Sequence, residues 1–478
     1  MQMLYEGHPA IESQSQGWEF IQTKPEVLPE PVFKGATDTD GIGVSIYGSV
    51  LEDGGRFRMW YQAWPKNWDA TDSVGVGYAE SEDGITWARP KLGLIESAGS
   101  GDNNLTDLPF HCPSVFVDPA APSHARYRAT GYAAPAKSRS RYSQTIGRKG
   151  YFSAHSSDGL HWELDNSEPT WEGGDVITSA YDPYHKRIVV ALKRSHRFRG
   201  IPRRSVFLSV GDGASWSDPV RAVIPDEYDD VMAQAHGMVT GDYYGMGLMP
   251  TETATVGFLW QFRHQLPLTR GSSSGVFGHV DVTLTYQIEP GGRWLHFPGR
   301  PDWLAHGEPG SWSAGGIYTS SYAIHVGDET RLYFTGTPHP HGWYLDDEWK
   351  LDKKRRALMH PDGFSFIGLA KWPRGRLLGF HAPVRETMHL RLGDDVAGKI
   401  LKLNAQTFTN GAVRVELLRA GEPMAGYSLD DCEPFVGDLR SGTVRWKAGE
   451  RLPENGGAPL MARIQMDMGA IHGFEVAE

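Results

Sequence analysis

Runs dense in β-branched and aromatic side chains, many alternating apolar with polar, recur in sets of three before Leu378. The first set is Val44–Val50, Arg56–Trp64 and Val74–Ala79, and the second is Ser114–Asp118, Arg126–Tyr132 and Tyr151–Ala154. A third comprises Val176–Asp182, Arg187–Leu192 and Ser205–Ser209; a fourth, Ala235–Val239, Tyr243–Leu248 and Val280–Thr285. The fifth is Ile317–Ile324, Arg331–Gly336 and Phe366–Ala370. Period-two alternation over four to eight residues predicts strands, each with one face in a core.

Three sets end in the same short turn, Ser81–Trp87, Ser156–Trp162 and Ser209–Trp216, and His360–Phe366 is a worn fourth copy. In each, Asp-Gly follows a strand and an aromatic stands three residues past the Gly. Asp-Gly suits a tight hairpin because both residues tolerate positive φ, and the aromatic can plug the next sheet. Such a repeat of small sheets predicts a β-propeller of five blades. After Leu378 the texture shifts to evenly spaced short strands at 400–403, 413–418, 444–446 and 462–466, which predict a β-sandwich. The expected fold is therefore all-β, a five-bladed β-propeller over 1–378 followed by a β-sandwich over 379–478.

Composition supports this. A chain of 478 residues exceeds one core, and 57 Gly, 31 Pro, 16 Trp, 19 Tyr and 19 Phe favour short strands and turns. A net charge of −11 argues against a general nucleic-acid binder. Cys112 and Cys432 make no disulfide framework and have no metal-ligand spacing, so neither a metal nor another cofactor is expected. No basic segment followed by an apolar stretch opens the chain, and no apolar run is long enough to span a membrane; a cytoplasmic protein is the expectation.

In a propeller the approaches to the innermost strands share one face, where convergent polar groups can form a pocket. Those approaches carry Asp38 and Asp40, then Asp107 and His111, then Asp175, then Asp230, Gln234 and His236, then Glu308 and Trp312. Carboxylates with separated pKa values are what glycoside hydrolysis needs. For any single Asp, a turn cap is the alternative. The same face carries basic loops, with Lys137, Arg139, Arg141, Arg148 and Lys149 in one, Lys193, Arg194, Arg197, Arg199, Arg203 and Arg204 in another, and Lys353, Lys354, Arg355 and Arg356 in a third. Guanidinium groups grip carboxylate, sulfate or phosphate, so either the substrate is an anionic sugar or these are solvated charge runs. Trp64, Trp68, Trp260, Trp312 and Trp343 are candidates to stack on a sugar ring, or plugs of the core. His339 and His341 flank a Pro and read as loop hydrogen-bonding residues, with His341 a candidate substrate contact. The stretch from Pro250 to Gly278 is long enough for a lid or for packing on a second copy of the chain.

The Met59–Trp64 strand, the five-set count and Val413–Leu418 resemble the invertase, levanase and arabinanase propellers, glycoside hydrolase families 32 and 43. Ser81–Glu96 followed by Gly101–Leu105 is similar to a poorly characterised bacterial group of that type. The resemblance implies a glycosidase, acting on a furanoside of an oligosaccharide or glycoside by an acid/base carboxylate mechanism. It places the nucleophile on Asp40 or Asp38 and the transition-state stabiliser on Asp107 or Asp175. The acid/base falls among Asp175, Asp230, Glu252 and Glu308. The family's Trp-Met-Asn-Asp-Pro-Asn-Gly, Arg-Asp-Pro and Glu-Cys signatures are absent. A non-catalytic carbohydrate-binding propeller, or a lyase or phosphorylase acting on an anionic sugar, are the alternatives. On the glycosidase reading, Asp40→Asn is expected to abolish activity and leave the melting temperature unmoved.

Overall fold

The computed structural model describes residues 1–66, 74–97, 99–135, 146–198, 201–265, 276–342 and 363–478. Four short strands come first, β1 (Gln2–Met3), β2 (Ile11–Gln14), β3 (Glu19–Gln22) and β4 (Glu26–Val27). Strands β5 (Gly43–Asp53), β6 (Arg56–Trp64) and β7 (Gly75–Ser81) form an antiparallel sheet. A second contains β8 (His111–Val117), β9 (Tyr127–Ala133), β10 (Gly150–Ser156) and β11 (Glu163–Leu164). A third contains β12 (Ile177–Asp182), β13 (Arg187–Phe198), β14 (Ile201–Gly211) and β15 (Val220–Val223). Helix α1 (Glu227–Ala235) leads into β16 (Thr240–Pro250), β17 (Thr255–His264), β18 (Gly278–Gln287) and β19 (Trp294–His296). The fifth group is β20 (Gly316–Thr319), β21 (Ile324–Val326), β22 (Glu329–Thr337) and β23 (Phe366–Pro373), with β4 on its edge. One parallel pair, Val280 with Gly316, joins the last two groups into a nine-stranded sheet.

The first strands of successive groups touch in order, β5 to β8, β8 to β12, β12 to β16, β16 to β20, and β20 returns to β5. The repeated turns reinforce that order. Asp83, Asp158 and Asp212 each accept the backbone N–H groups two and three residues on, at 2.7 to 2.9 Å. Only the glycines are left-handed, Gly84 at φ +73°, Gly159 at +81° and Gly213 at +90°; the aspartates cap the turn and do not share its positive φ. Each turn is clasped by a side chain from the middle strand of the group before it. Trp60 of β6 donates to the Gly159 carbonyl at 2.7 Å, and Arg128 of β9 reaches the Gly213 carbonyl at 3.5 Å. Tyr333 of β22 donates to the Gly84 carbonyl at 2.7 Å, linking the fifth group to the first. A Cβ on Gly159 would lie 2.7 Å from Trp60 Cζ2. Gly159→Ala is therefore expected to cost about 1–3 kcal/mol, from the left-handed backbone and the crowded indole together, read as a lowered denaturation midpoint.

Two expectations in the fourth group are corrected. Residues 235–239 are the end of α1 and a turn, not a strand. Asp226 caps the helix in a capping box with Asp229, and Glu227, Asp229 and Asp230 in the first turn suit its positive end. The supposed lid from 250 to 278 contains β17, whose ten residues are all buried; a strand covered on both faces shows no alternation to find.

The C-terminal strands β24 (Leu378–Gly393), β25 (Ile400–Arg419), β26 (Glu422–Pro423), β27 (Asp438–Thr443) and β28 (Leu460–Ala477) lie in one eight-stranded sheet with β1, β2 and β3. Bulges between Ala382 and Arg385 and between Thr407 and Ala412 interrupt its long ladders. Met388, Leu401, Val415 and Ile464 are among its buried core. Phe20 of β3 ties this sheet to the rest, with its ring 5.4 Å from that of Phe380 and 4.8 Å from that of Phe297. Among the described residues no helix is long and apolar enough to cross a membrane.

Candidate active site

The five touching first strands, or the residues just ahead of them, each deliver one polar side chain to a common point. Tyr47 comes from β5, His111 from β8, Asp175 from the approach to β12, Tyr244 from β16 and Tyr318 from β20. Their contacts form a circuit. The Tyr47 ring lies 6.2 Å from His111, and His111 Nε2 is 3.6 Å from Asp175 Oδ1. Asp175 Oδ2 accepts from Tyr244 Oη at 3.3 Å. The Tyr244 and Tyr318 rings are 5.5 Å apart, as are those of Tyr318 and Tyr47.

Local backbone irregularity aims these groups. Three of the strands lose register at this level, between Ser45 and Ser49 in β5, His111 and Ser114 in β8, and Tyr243 and Gly245 in β16. Bulges of this kind re-aim side chains beside active sites. Two residues without glycine's freedom are left-handed here, Cys112 at φ +55° and Asp175 at φ +84°. Such conformations persist where the surroundings over-determine them. For Cys112 the constraint includes its N–H, which donates to Gln62 Oε1 at 3.0 Å.

Asp175 opens on a cleft of about 530 Å³ that Lys193, Arg194, Arg204 and Tyr244 also line. Lys193 Nζ pairs with Asp175 Oδ2 and sits 4.0 Å from the centre of the Tyr244 ring. Burial alone would raise the Asp175 carboxyl, but Lys193 and then His111 hold it well below the ordinary carboxylate range. Burial pushes the Lys193 ammonium down while Asp175 supports it, and the net direction is down. Tyr244 is raised well above 10.0, by burial and then by the Asp175 charge, so it rests as a phenol. His341 Nε2 lies 3.2 Å from Tyr244 Oη, and its Nδ1 is 2.8 Å from the Val276 carbonyl. Burial lowers His341 to about 4, so the imidazole is neutral at pH 7. With Nδ1 donating to a carbonyl, Nε2 is an acceptor, so His341 and Asp175 share the single Tyr244 hydroxyl proton between them.

His111, Cys112 and Asp175 place three metal-ligand atoms within 4.8 Å of one another. Lys193 already pairs with Asp175 there, so a cation at the trio would have to displace that ammonium.

The carboxylates expected from the sequence do not assemble. Asp40 has no exposed surface. Its Oδ1 accepts from the Ala36 and Thr37 N–H groups and the Thr37 hydroxyl at 2.8 to 3.0 Å. Its Oδ2 accepts from Tyr61 at 2.9 Å and Arg89 at 2.7 Å. With five donors in place it is a structural anchor, which corrects the nucleophile expectation. Asp38 is exposed and paired with Lys66. Asp107 accepts from the Trp162 N–H at 2.7 Å, in the turn after β10, and burial raises it. Asp230 is bound by Arg203 at 2.9 Å and Thr240 at 2.6 Å. Arg203 and Arg204 share Asp242, which links Asp230 to the cleft. Glu252 lies in the turn after β16, at the end opposite Thr240, and pairs with Gln2 at 3.0 Å. Pro250 stands six residues beyond Tyr244 on β16, about 20 Å along the strand, which carries Glu252 away from the pocket.

Of the expected substrate contacts, His111 and His341 belong to the circuit and Arg194 to the cleft. Trp64 donates to Ser45 Oγ at 3.0 Å and sits with its ring 6.3 Å from His111. His236 caps α1 and faces Asp302 at 3.9 Å. Trp312 is partly buried at the edge of the core, where it donates to the Pro29 carbonyl and stacks on Phe334. Trp68, Trp343 and the basic run 353–356 lie outside the described residues, as do Lys137, Arg139, Arg141 and Arg199. Arg148 is consumed by Glu168 and Glu172. Sequence reasoning missed Tyr47, Tyr244 and Tyr318. A signal existed for two of them, since Tyr47 and Tyr244 each precede a glycine inside a first strand.

No protein-family model matches the chain. It is 30% identical over 139 residues to the uncharacterized protein Rv1502 of Mycobacterium tuberculosis (strain ATCC 25618 / H37Rv), spanning 28% of this chain and 38% of that protein. The uncharacterized protein MT1551 of strain CDC 1551 / Oshkosh is 31% identical over 139 residues, with the same coverage. The chain thus spans well under half the length of the curated relatives it matches. Proteins of the kind the sequence resembles are among the solved structures similar to it. A thermostable family-43 glycoside hydrolase has a TM-score of 0.42 at 13% identity, covering 73% of this chain and 92% of that one. A β-1,2-mannobiose phosphorylase from Listeria innocua has a TM-score of 0.44 at 10% identity, covering 73% and 96%. An N-acetylgalactosamine deacetylase from F. plautii has a TM-score of 0.42 at 15% identity, covering 75% and 96%.

Proposed function

We propose that the chain is an enzyme that cleaves a glycosidic bond beside an anionic group of its sugar substrate, at the cleft around Asp175. The observation that carries this is one ionised carboxylate meeting a phenol, an imidazole and three cationic side chains where five separate strand groups converge. Charged and proton-transferring groups gathered in one cleft are the mark of a reaction centre, and Arg and Lys select for carboxylate, sulfate or phosphate. The same convergence, with the cyclic order of turn contacts, supports a five-bladed propeller within 1–378, and we assign residues 379–478, whose sheet β1 to β3 join, to an accessory β-sandwich domain. Asp175 takes the place the resemblance offers to a stabilising carboxylate. A furanoside rests on the resemblance alone.

The test is a panel of neutral and anionic oligosaccharides and aryl glycosides, furanosides and uronides included, scored for released reducing sugar. Cleavage confined to, or at least tenfold faster on, the anionic members is the expected result. Equal rates on neutral counterparts would remove the anionic group from the proposal, and no cleavage at all would favour a carbohydrate-binding propeller.

A further inference from the structure

We propose that Tyr244 and His341 are the proton-transfer pair of this site, and that the bond breaks by β-elimination from a uronic acid sugar. This rests on reading the Asp175 cleft as a glycosidic-bond-cleaving site. Hydrolysis by a carboxyl pair needs two such groups facing the bond. Among the described residues, the carboxylates lining the cleft are Asp175 and Glu172. Glu172 is exposed on the rim and bound to Arg148, and Asp175 is bound to Lys193. What the described residues of the cleft offer in place of a second unpaired carboxyl is a phenol hydrogen-bonded to an imidazole, among cations.

That set matches what elimination requires. The hydrogen on the carbon next to a sugar carboxylate becomes acidic when cations neutralise the carboxylate and the charge developing beside it. Arg194 is placed to receive it. Its Nη2 donates to the Glu172 carbonyl at 2.9 Å, and its Nε is buried without a partner. Lys193 over the Tyr244 ring, and Arg204 at 5.7 Å from it, favour negative charge on the phenol oxygen and act against burial and the Asp175 carboxylate, which oppose it.

In the first step the Tyr244 proton passes to His341 Nε2 as the phenol oxygen takes the α-hydrogen. The C–H electron pair becomes the new carbon–carbon double bond. The bond from the β carbon to the glycosidic oxygen breaks, with its electrons leaving on that oxygen. The oxygen takes its proton from Tyr244, and His341 returns one to Tyr244. The products are an unsaturated uronide and a free hydroxyl; no water, oxidant or metal enters.

The test incubates the purified full chain with galacturonate, glucuronate and mannuronate oligomers, and with neutral oligosaccharides alongside, in oxygen-labelled water. The expected result is a rise in the ultraviolet absorbance of a double bond conjugated to a carboxylate, with no label in the new chain end. Labelled reducing ends without that absorbance would overturn elimination and leave glycosidic cleavage standing. Cleavage of neutral sugars only would overturn elimination and the anionic preference together, and no cleavage of any member would overturn both readings. Tyr244→Phe should lower kcat by about 10²–10⁴-fold with KM within threefold. Arg194→Met should instead raise KM at least tenfold with kcat largely kept, and it rests on a side chain whose loss leaves the circuit intact. Parallel losses of kcat and melting temperature in Tyr244→Phe, with Arg194→Met indistinguishable from the parent, would sink the assignment.

Discussion

On the proposed glycoside-cleaving reading, Asp175→Asn is expected to lower kcat/KM by about 10²–10⁴-fold, the range for losing a positioned group at a proton-transfer centre. The shape is kept and the charge is not. Lys193, with only 10% of its side chain exposed, loses the partner that supports its ammonium. Burial then pushes Lys193 further toward the neutral amine, and the cation beside Tyr244 weakens. His111 loses its 3.6 Å partner in the same change. Stability should fall less than activity, because 40% of the Asp175 side chain is open to solvent, which screens the pair. Steady-state kinetics and a thermal melt on the same sample separate the two effects. Activity within threefold of the parent would remove Asp175 from the site. Because the carboxyl is depressed, it stays ionised through the mildly acidic range, and its contribution to activity should persist below pH 5.

Asp40→Asn should do the reverse of what the sequence reading expects: melt early and keep its chemistry. The Asp40 carboxylate is fully buried and accepts five hydrogen bonds, one from Arg89, whose guanidinium also lies 3.8 Å from the Phe33 ring. An amide offers one acceptor where five donors converge and sets its own N–H groups against them. Breaking a buried pair in this way costs about 3–5 kcal/mol, seen as a lower denaturation midpoint, while turnover per folded molecule stays within tenfold. The pH dependence has a definite sign. Burial raises the Asp40 carboxyl, but Arg89 and the Ala36 and Thr37 amides lower it further, so its folded pKa lies below 3.8. A depressed carboxyl contributes stability that is present above its unfolded pKa and lost as pH falls through the folded one. The gap between parent and variant should be widest near neutrality and close below about pH 4. A gap that widened in acid would contradict the burial described here.

The two aspartates show why some of the site could be read in advance and some could not. The glycine turn at 173–175 and the basic run at 193–204 mark their region in sequence, because special backbone and clustered charge are local signals. Asp40 carries the same kind of local signal and means something else. Its role follows from Arg89 and Tyr61, 49 and 21 residues away. Adjacent tyrosines make the point again. Tyr243 turns outward to Asp229 at 2.7 Å, and Tyr244 turns inward to Asp175 and His341. Successive side chains in a strand point to opposite faces, and a bulge at this place decides which face each one takes.

From its residues alone the chain dictates strands, the Asp-Gly turns with their left-handed glycines, and an all-β fold in repeating groups, since these depend on contacts within a few residues. Tertiary structure alone decides that β1 to β3 complete the C-terminal sheet, that Asp40 is sealed away, and that Tyr47, His111, Asp175, Tyr244 and Tyr318 meet. Those outcomes depend on register and closure between segments up to several hundred residues apart, and no local pattern encodes which side chains such closure brings face to face.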